Sequence, residues 1–346
     1  MGRPDNFSHA PRRSIFVVLS AAVLLASPSG ARAEPPKVAP EAVRWTVTSI
    51  FEKNAKNDDF KDQPRLNLSG AACVPTTPKF TACLIANDEK KYAQFFSING
   101  TAMTPRQLIR LSDADKDPDA EGVAYADGYF YVTGSHGRSR NSDKDNDSSY
   151  AVFRFPVDRA TGVPQFSVTE EKVVGVKSSP RLREVLSTAT EFKTSYNTRL
   201  NDGGLNIEGI AVKAGRMHFG LRGPSAPAYI VSVDADAMFT KNDLKPVVTP
   251  LALGDNTGIR DLAAVDGGIL LLTGPMRSES VPYAVWLWDG VGKSAKQLAT
   301  LDLAGIGTDG KAEILLPLAE ETSGYRVLVM FDGIENGGPV SFLLPR

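Results

Sequence analysis

The feature that most restricts how this chain can fold is a hairpin plan that recurs along it. Glu121-Gly-Val-Ala-Tyr, Glu208-Gly-Ile-Ala-Val and Arg260-Asp-Leu-Ala-Ala each open a short apolar run, followed by Asp127-Gly128, Ala214-Gly215 and Asp266-Gly267. Asp-Gly readily supplies the positive φ angles of a tight hairpin turn, and the runs on either side have strand composition. The second runs, Tyr129–Thr133, Arg216–Leu221 and Ile269–Thr273, end at Gly134-Ser-His-Gly, Leu221-Arg-Gly-Pro and Thr273-Gly-Pro. Weaker copies begin at Ser69, leading to Cys83–Glu89, and at Glu313, leading to Arg326–Gly333. Equivalent positions are therefore 69, 121, 208, 260 and 313, in steps of 52, 87, 52 and 53. A period near 50 matches one four-stranded propeller blade. The expected fold is an all-β propeller of five blades, or six if the long step holds a degenerate one. A two-sheet sandwich does not account for the spacing.

The long step has room for outer strands at Tyr150–Val157 and Gln165–Val174 and for an insertion at about 178–200. Ser178, Pro180 and then Leu182, Val185, Leu186 and Ala189 at helical spacing predict a packed amphipathic helix. The last repeat is short of outer strands. Val43–Phe51, carrying Trp45, Val47 and Ile50, is expected to supply them, so that both termini close the ring in one blade and leave no open edge.

Residues 1–33 read as an export signal: Arg12 and Arg13, an apolar run Ile15–Ala26, and Ala31-Arg32-Ala33 as a small-x-small cleavage site. Pro11-Arg-Arg-Ser-Ile-Phe16 is a partial match to a twin-arginine signal, with the general secretory route as the alternative. Residues 34–346 then form a single domain, exported to the periplasm or beyond the cell. The segment carries Arg3, Arg12, Arg13 and Arg32 against Asp5, so the whole-chain charge of −1 becomes −4 without it. That balance argues against a nucleic-acid protein, and no later apolar run is long enough for a transmembrane helix. The two cysteines, Cys73 and Cys83, flank what reads as a hairpin loop, and in an oxidising compartment this predicts a disulfide.

The start of each first strand and the end of each second strand lie at one end of the channel, which gathers Asp88, Glu89, Glu121, Ser135, His136, Arg138, Glu208, Arg222, Arg260, Asp261, Glu313 and Asp332 at one mouth. Neighbouring carboxylates repel unless a cation or an arginine compensates, and either a metal site or an ion-paired ring satisfies this. Only His136 and His218 remain after export, which excludes a multi-histidine zinc site and leaves oxygen ligation of Ca²⁺ or Mg²⁺, with Glu121, Glu208, Asp119 and Asp88 as candidate ligands. Arg138, Arg222 and Arg260, with Ser135, are the candidates for gripping a small anion or a protein partner's acidic group; pairing with Glu121, Glu208 or Asp261 is the alternative. Ser135-His136 lacks the order of a nucleophile elbow, and His136 is kept as a candidate acid–base group or anion contact. The acidic runs Asp113–Glu121 and Asn141–Asp147 lack the turn glycine and closing glutamate of an EF-hand.

Asp119-x-Glu-Gly-Val-Ala-Tyr with Gly134-Ser-His-Gly, Leu205-Asn-Ile-Glu-Gly-Ile-Ala with Gly220-Leu-Arg-Gly-Pro, and Gly258-Ile-Arg-Asp-Leu with Gly274-Pro resemble the bacterial family catalogued as domain of unknown function 3616. The resemblance spans nearly all of the chain after residue 33 and implies a propeller without an assigned activity. More distantly, the Glu-Gly strand openings are similar to phytase-like and esterase-like propeller domains, which implies a Ca²⁺-dependent phosphoester hydrolase. Two expectations follow: a binding propeller that takes an anion at its mouth, or a Ca²⁺-assisted hydrolase using Glu121, Glu208 and His136.

Overall fold

The computed structural model describes residues 1–2, 34–51, 64–75, 82–88, 91–112, 117–140, 144–166, 172–306 and 310–346. The expected export segment, Glu89 and parts of both acidic runs lie outside the described residues. Contacts divide the chain after Glu34, and Pro35–Arg346 form one unit.

The segment ahead of the first repeat carries two short strands, β1 (Lys37–Val38) and β2 (Thr46–Val47). Blade one follows as β3 (Leu68–Cys73), β4 (Cys83–Asn87), β5 (Tyr92–Asn99) and β6 (Ala102–Arg110). Blade two is β7 (Ala120–Ala126), β8 (Tyr129–Gly134), β9 (Val152–Pro156) and β10 (Lys177–Ser179), followed by helix α1 (Leu182–Thr188). Blade three is β11 (Asn206–Lys213), β12 (Arg216–Gly223), β13 (Ala228–Asp234) and β14 (Val247–Leu251). Blade four is β15 (Thr257–Val265), β16 (Gly268–Pro275), β17 (Ala284–Trp288) and β18 (Ala295–Leu301). Blade five has β19 (Lys311–Glu321), β20 (Gly324–Asp332) and β21 (Val340–Pro345). Each blade is an antiparallel meander with its first strand innermost, so the molecule is a five-bladed β-propeller. The long step holds the insertion and no sixth blade.

The apolar side chains collect into five wedges, one between each pair of adjacent blades, as expected for sheets that pack face to face. Phe95, Phe130 and Phe155 fill the wedge between blades one and two, and His218 meets Trp288 edge-on between three and four. Helix α1 sits between blades two and three, with Leu182, Val185, Leu186 and Phe192 buried against Tyr131 and Phe219. The insertion thus supplies core, as its periodicity predicted, although α1 is shorter than 178–200 and is followed by 3₁₀ turns at Thr190–Phe192 and Leu200–Asp202. The residues just ahead of α1 belong to the sheet. Lys177–Ser179 is the outer strand of blade two, paired with Val152–Arg154, whereas the described residues of Gln165–Val174 contribute a single bridge, Phe166 to Val173.

Ring closure uses both termini in a way that differs from expectation. Blade five remains three-stranded among the described residues, and the N-terminal segment crosses three blades. β1 adds parallel to β18, the Glu41 N–H donates to the Ser341 carbonyl at 2.8 Å, and β2 adds parallel to β6. The segment ends with Phe51 buried in the wedge between blades five and one, edge-on to Phe96 with ring centres 5.7 Å apart. Strands of two residues cannot form a new layer by themselves. They cap backbone edges that already exist on β18 and β6. Cys73 and Cys83 are directly paired across β3 and β4 and form the disulfide.

Candidate functional site at one channel mouth

Counting back from the Asp127-Gly128 turn, β7 and β8 pair as a two-residue hairpin requires from Ala126–Tyr129 to Gly122–Thr133. The next pair is Ala120–Gly134, and Glu121 is left over as the extra residue of a β-bulge. The same interruption occurs in every blade: at Glu208 in β11, Arg260 in β15, Glu313 in β19, and across Ser69 and Gly70 in β3. A bulge re-aims the side chain of its extra residue. Here it places one polar side chain per blade in a ring within the channel. The inner strands approach closely beside it, since a Cβ on Gly70 would lie 2.5 Å from the Gly122 backbone and one on Gly209 would lie 2.7 Å from the Leu262 nitrogen.

The ring is linked in two pieces, Ser69 with Glu121 and Glu208 with Arg260 and Glu313. The Ser69 hydroxyl faces the Glu121 carbonyl at 2.8 Å and Oε2 at 2.9 Å. Glu208 accepts from Arg222 and from the Asn206 amide on Oε1, and from Arg260 Nη1 at 2.6 Å on Oε2. Arg260 Nη2 then reaches Glu313 at 3.2 Å. All five ring residues and Arg222 are buried. Arg222 and Arg260 are therefore ion-paired inside the plug, the alternative that the sequence left open beside anion gripping.

Charge is unevenly settled. Burial works against ionised Glu208, but Arg222 and Arg260 outweigh it and hold its carboxyl below the usual range. Glu121 is the converse: burial, then the charges of Asp119, Glu208, Asp88 and Glu313, push it well above. Burial also drives Glu313 up to about 7 against the pull of Arg260. Asp261 is raised by burial, although its carboxylate accepts the backbone N–H groups of Leu262 and Leu315, both at 2.8 Å, and so clamps blade four to blade five. Asp332 pairs with Lys311.

Ser135 donates to the Asp119 carboxylate and accepts from the Gly137 N–H at 3.2 Å. Its neighbour His136 leaves the mouth. The ring is fully buried, stacks on Tyr150, and neither ring nitrogen has a hydrogen-bond partner. Arg183 lies over Tyr150 and Tyr196 and donates to the His136 carbonyl at 3.0 Å. Burial and Arg183 lower His136 to about 3, so the imidazole is neutral and is not positioned for acid–base work at the mouth. His218 is a core residue hydrogen-bonded to Ser232.

Outside the plug is a cavity of about 390 Å³ with Asp119, Glu121 and Asn206 in its lining. Arg138, Arg140, Lys144 and Asp145 also line it, and Leu200 from the insertion is the single hydrocarbon side chain among the described residues of the lining. Arg138 lies 3.4 Å from Asp145 and donates to the Asn197 carbonyl at 3.0 Å. Arg140 is exposed; although partial desolvation opposes its charge, Glu121, Glu208, Asp119 and Asp88 outweigh it and raise its pKa. Arg140, Lys144 and Asn206 were not picked out by the sequence reading. The signal for Arg140 and Lys144 is a basic residue before and one within the second acidic run, which reads equally well as a solvated loop. Among the described residues no three acidic, histidine or cysteine side chains are grouped to hold a metal ion. A second cavity, of about 540 Å³, opens beyond the plug and is lined by the later parts of all five inner strands.

Fold and site together define a five-bladed propeller whose channel is plugged by a ring of buried ionic groups. The chain belongs to the family described as Protein of unknown function (DUF3616), whose model matches residues 83–157 and 161–337. No curated protein matches it. Similar solved structures include an α-L-arabinofuranosidase from Podospora anserina in complex with cellotriose, at 9% identity and TM-score 0.49, covering 90% of this chain and 97% of that one. The periplasmic gluconolactonase of Pseudomonas aeruginosa aligns at 14% identity and TM-score 0.38, covering 76% and 64%. A member of the GH130 family of mannoside phosphorylases aligns at 11% identity and TM-score 0.41, covering 80% and 84%.

Proposed function

We propose that this protein is a binding propeller that takes a small anionic molecule into the mouth cavity. The supporting observation is the composition of the lining. Three cations, Arg138, Arg140 and Lys144, line the cavity beside the carboxyl groups of Asp119, Glu121 and Asp145, of which burial and neighbouring carboxylates push Glu121 toward its neutral form. Small-molecule sites run from roughly 300 to 1,000 Å³, so a cavity of 390 Å³ suits a compact ligand better than a protein segment. Basic side chains at the rim raise the local concentration of an anion and bind it by charge-assisted hydrogen bonds. Calorimetric titration with inorganic phosphate and with succinate tests this: binding should weaken at least tenfold in Arg140→Ala/Lys144→Ala, and an unchanged affinity in that variant would move the site elsewhere.

A Ca²⁺-assisted phosphoester hydrolase is the second reading. It is favoured by one observation, the gathering of Asp88 and Asp119 around buried Glu121. Glu208, closed off by two arginines, drops out of the ligand set under this reading. Its test is a calcium-dependent rise in melting temperature that vanishes in Glu121→Gln, since a ligand at a hundred times its Kd stabilises by about 2.7 kcal/mol. Export to the periplasm or beyond belongs to the same proposal and is tested by locating the tagged full-length chain after cell fractionation.

A further inference from the structure

The mouth cavity has two chemically different zones, and only one of them answers an anion. At the rim are donors, the guanidinium groups of Arg138 and Arg140 and the amine of Lys144. The deeper zone presents acceptors. The Asn206 amide nitrogen is committed to Glu208 at 2.8 Å, which leaves Asn206 Oδ1 as the outward-facing atom. Gly137 keeps that atom uncovered: a Cβ there would lie 3.1 Å from Asn206 Oδ1 and 2.9 Å from the Leu205 carbonyl. The Asp119 carboxylate lines the same zone, already accepting from Ser135. Beside it is Glu121, with Ser69 donating to Oε2.

We infer that the ligand is a small polyhydroxy anion, with one anionic head held by Arg138, Arg140 and Lys144 and with hydroxyl groups that donate to Asn206 and Asp119. The inference rests on the mouth being an anion site and goes beyond it. An alkyl carboxylate brings no donor and would leave Asn206 Oδ1 unmet on binding, which costs more than a missing contact; inorganic phosphate, whose P–OH groups sit on the charged head itself, cannot place a donor there while the head is held at the rim. A hydroxyl both donates and accepts, so it also suits Glu121, whose carboxyl is pushed toward its neutral form by burial and by neighbouring carboxylates. One hydrocarbon side chain, Leu200, offers little to a fatty acid or an aromatic acid. The volume limits the ligand to about one six-carbon unit. The head group is a carboxylate or a phosphate, as in a sugar acid or a sugar phosphate.

The test is a calorimetric panel on the mature wild-type protein at fixed ionic strength: gluconate, glucose 6-phosphate, hexanoate, inorganic phosphate and glucose. The expected result is that gluconate, glucose 6-phosphate or both bind at least tenfold more tightly than hexanoate and phosphate, and that glucose is weaker still. Which of the two binds better distinguishes carboxylate from phosphate. In Gly137→Ala the polyhydroxy anions should lose at least tenfold while phosphate is unaffected. If hexanoate and phosphate match the polyhydroxy anions in wild type, the hydroxyl requirement is overturned and the anion site stands. If no anion in the panel binds, the anion site falls with it.

Discussion

At the scale of single residues, Glu208 and Glu121 are equivalent in the repeat and opposite in their physics. Glu208 neutralises two buried guanidinium groups, so Glu208→Ala leaves Arg222 without its carboxylate and Arg260 with Glu313 alone. Breaking a buried pair from one side typically costs about 3–5 kcal/mol, and urea unfolding should show a loss of at least that size; a loss under about 1 kcal/mol would mean that water reaches the plug. Glu121 has no arginine against it in the ring. Its folded pKa lies well above its ordinary 4.5, so the native state binds the proton more firmly than the unfolded chain does. The sign follows: this contribution is complete below about 4.5 and is lost as pH rises toward the folded value, with Glu313 adding a loss between 4.5 and about 7. Glu208, lowered, acts in the other direction and loses its contribution as pH falls below 4.5. His136, held neutral by burial, adds stability over part of the same range as pH rises, and does so in both proteins; from pH 5 to pH 8 the melting temperature of wild type should therefore fall relative to that of Glu121→Gln, which keeps a neutral side chain of the same shape. Parallel curves for the two proteins would show that Glu121 is ionised throughout. Charged positions were legible in the sequence and their partners were not. Equal spacing placed Arg222 and Arg260 at the mouth, but whether a guanidinium there meets a ligand or a carboxylate depends on its burial. Arg140 and Lys144 were passed over because a loop of mixed charge carries no periodicity to say which way it faces.

At the scale of elements, the inner hairpins were readable because three constraints agree: apolar strand runs, turn glycines and a repeat near fifty. The bulge was not. Nothing in Glu-Gly distinguishes a residue that is paired from one that is extra, and unbroken counting from the turn would put Glu121 opposite Gly134, where Ala120 in fact sits. A glycine next to the bulge in three blades is the visible trace of the close strand approach. Gly70→Ala would set a Cβ 2.5 Å from the Gly122 Cα and Val123 nitrogen, so backbone must move. Gly100 has nothing within 4 Å and only a positive φ of 61° to satisfy. Gly100→Ala should cost about 1 kcal/mol, and Gly70→Ala clearly more by chemical denaturation; equal costs would show that the inner strands separate easily. The outer strand of blade two was misplaced because Val168, Val173 and Val174 have strand composition, whereas Lys177-Ser-Ser has none and pairs only because the β9 edge is available. The disulfide bridges a separation of ten residues at the β3–β4 hairpin. In the chain-entropy account Cys73→Ser/Cys83→Ser should lose roughly 2–3 kcal/mol, measured against wild type without reductant.

For the whole molecule, the decisive question is how a ring of blades holds where its first and last members meet. Every other junction has the chain running from one blade directly into the next. The junction of blades five and one is spanned by the N-terminal segment, which touches β18, β21 and β6 in turn. Glu41 pairs with Arg326 at 3.1 Å, but both side chains are partly exposed and such a pair contributes little. Phe51 contributes far more: it is 1% exposed, packs on Phe96, and its N–H donates to Asn336 Oδ1 at 2.8 Å from the far side of the junction. Further links are the Gly333 N–H to the Leu66 carbonyl at 2.7 Å and the apolar contacts of Ile85 with the wedge that holds Ile314 and Leu328. The junction is thus closed mainly by one wedge, and it should open before the others do. Phe51→Ala should cost about 3–5 kcal/mol, the usual range for emptying a buried aromatic site. More specifically, hydrogen exchange in that variant should speed first at β3 and β19, the inner strands flanking the junction, while β11 and β15, joined through the continuous chain, keep their protection. Uniform acceleration across all five inner strands would mean that the ring unfolds as one unit, and that the segment from Pro35 to Phe51 stabilises it without serving as its clasp.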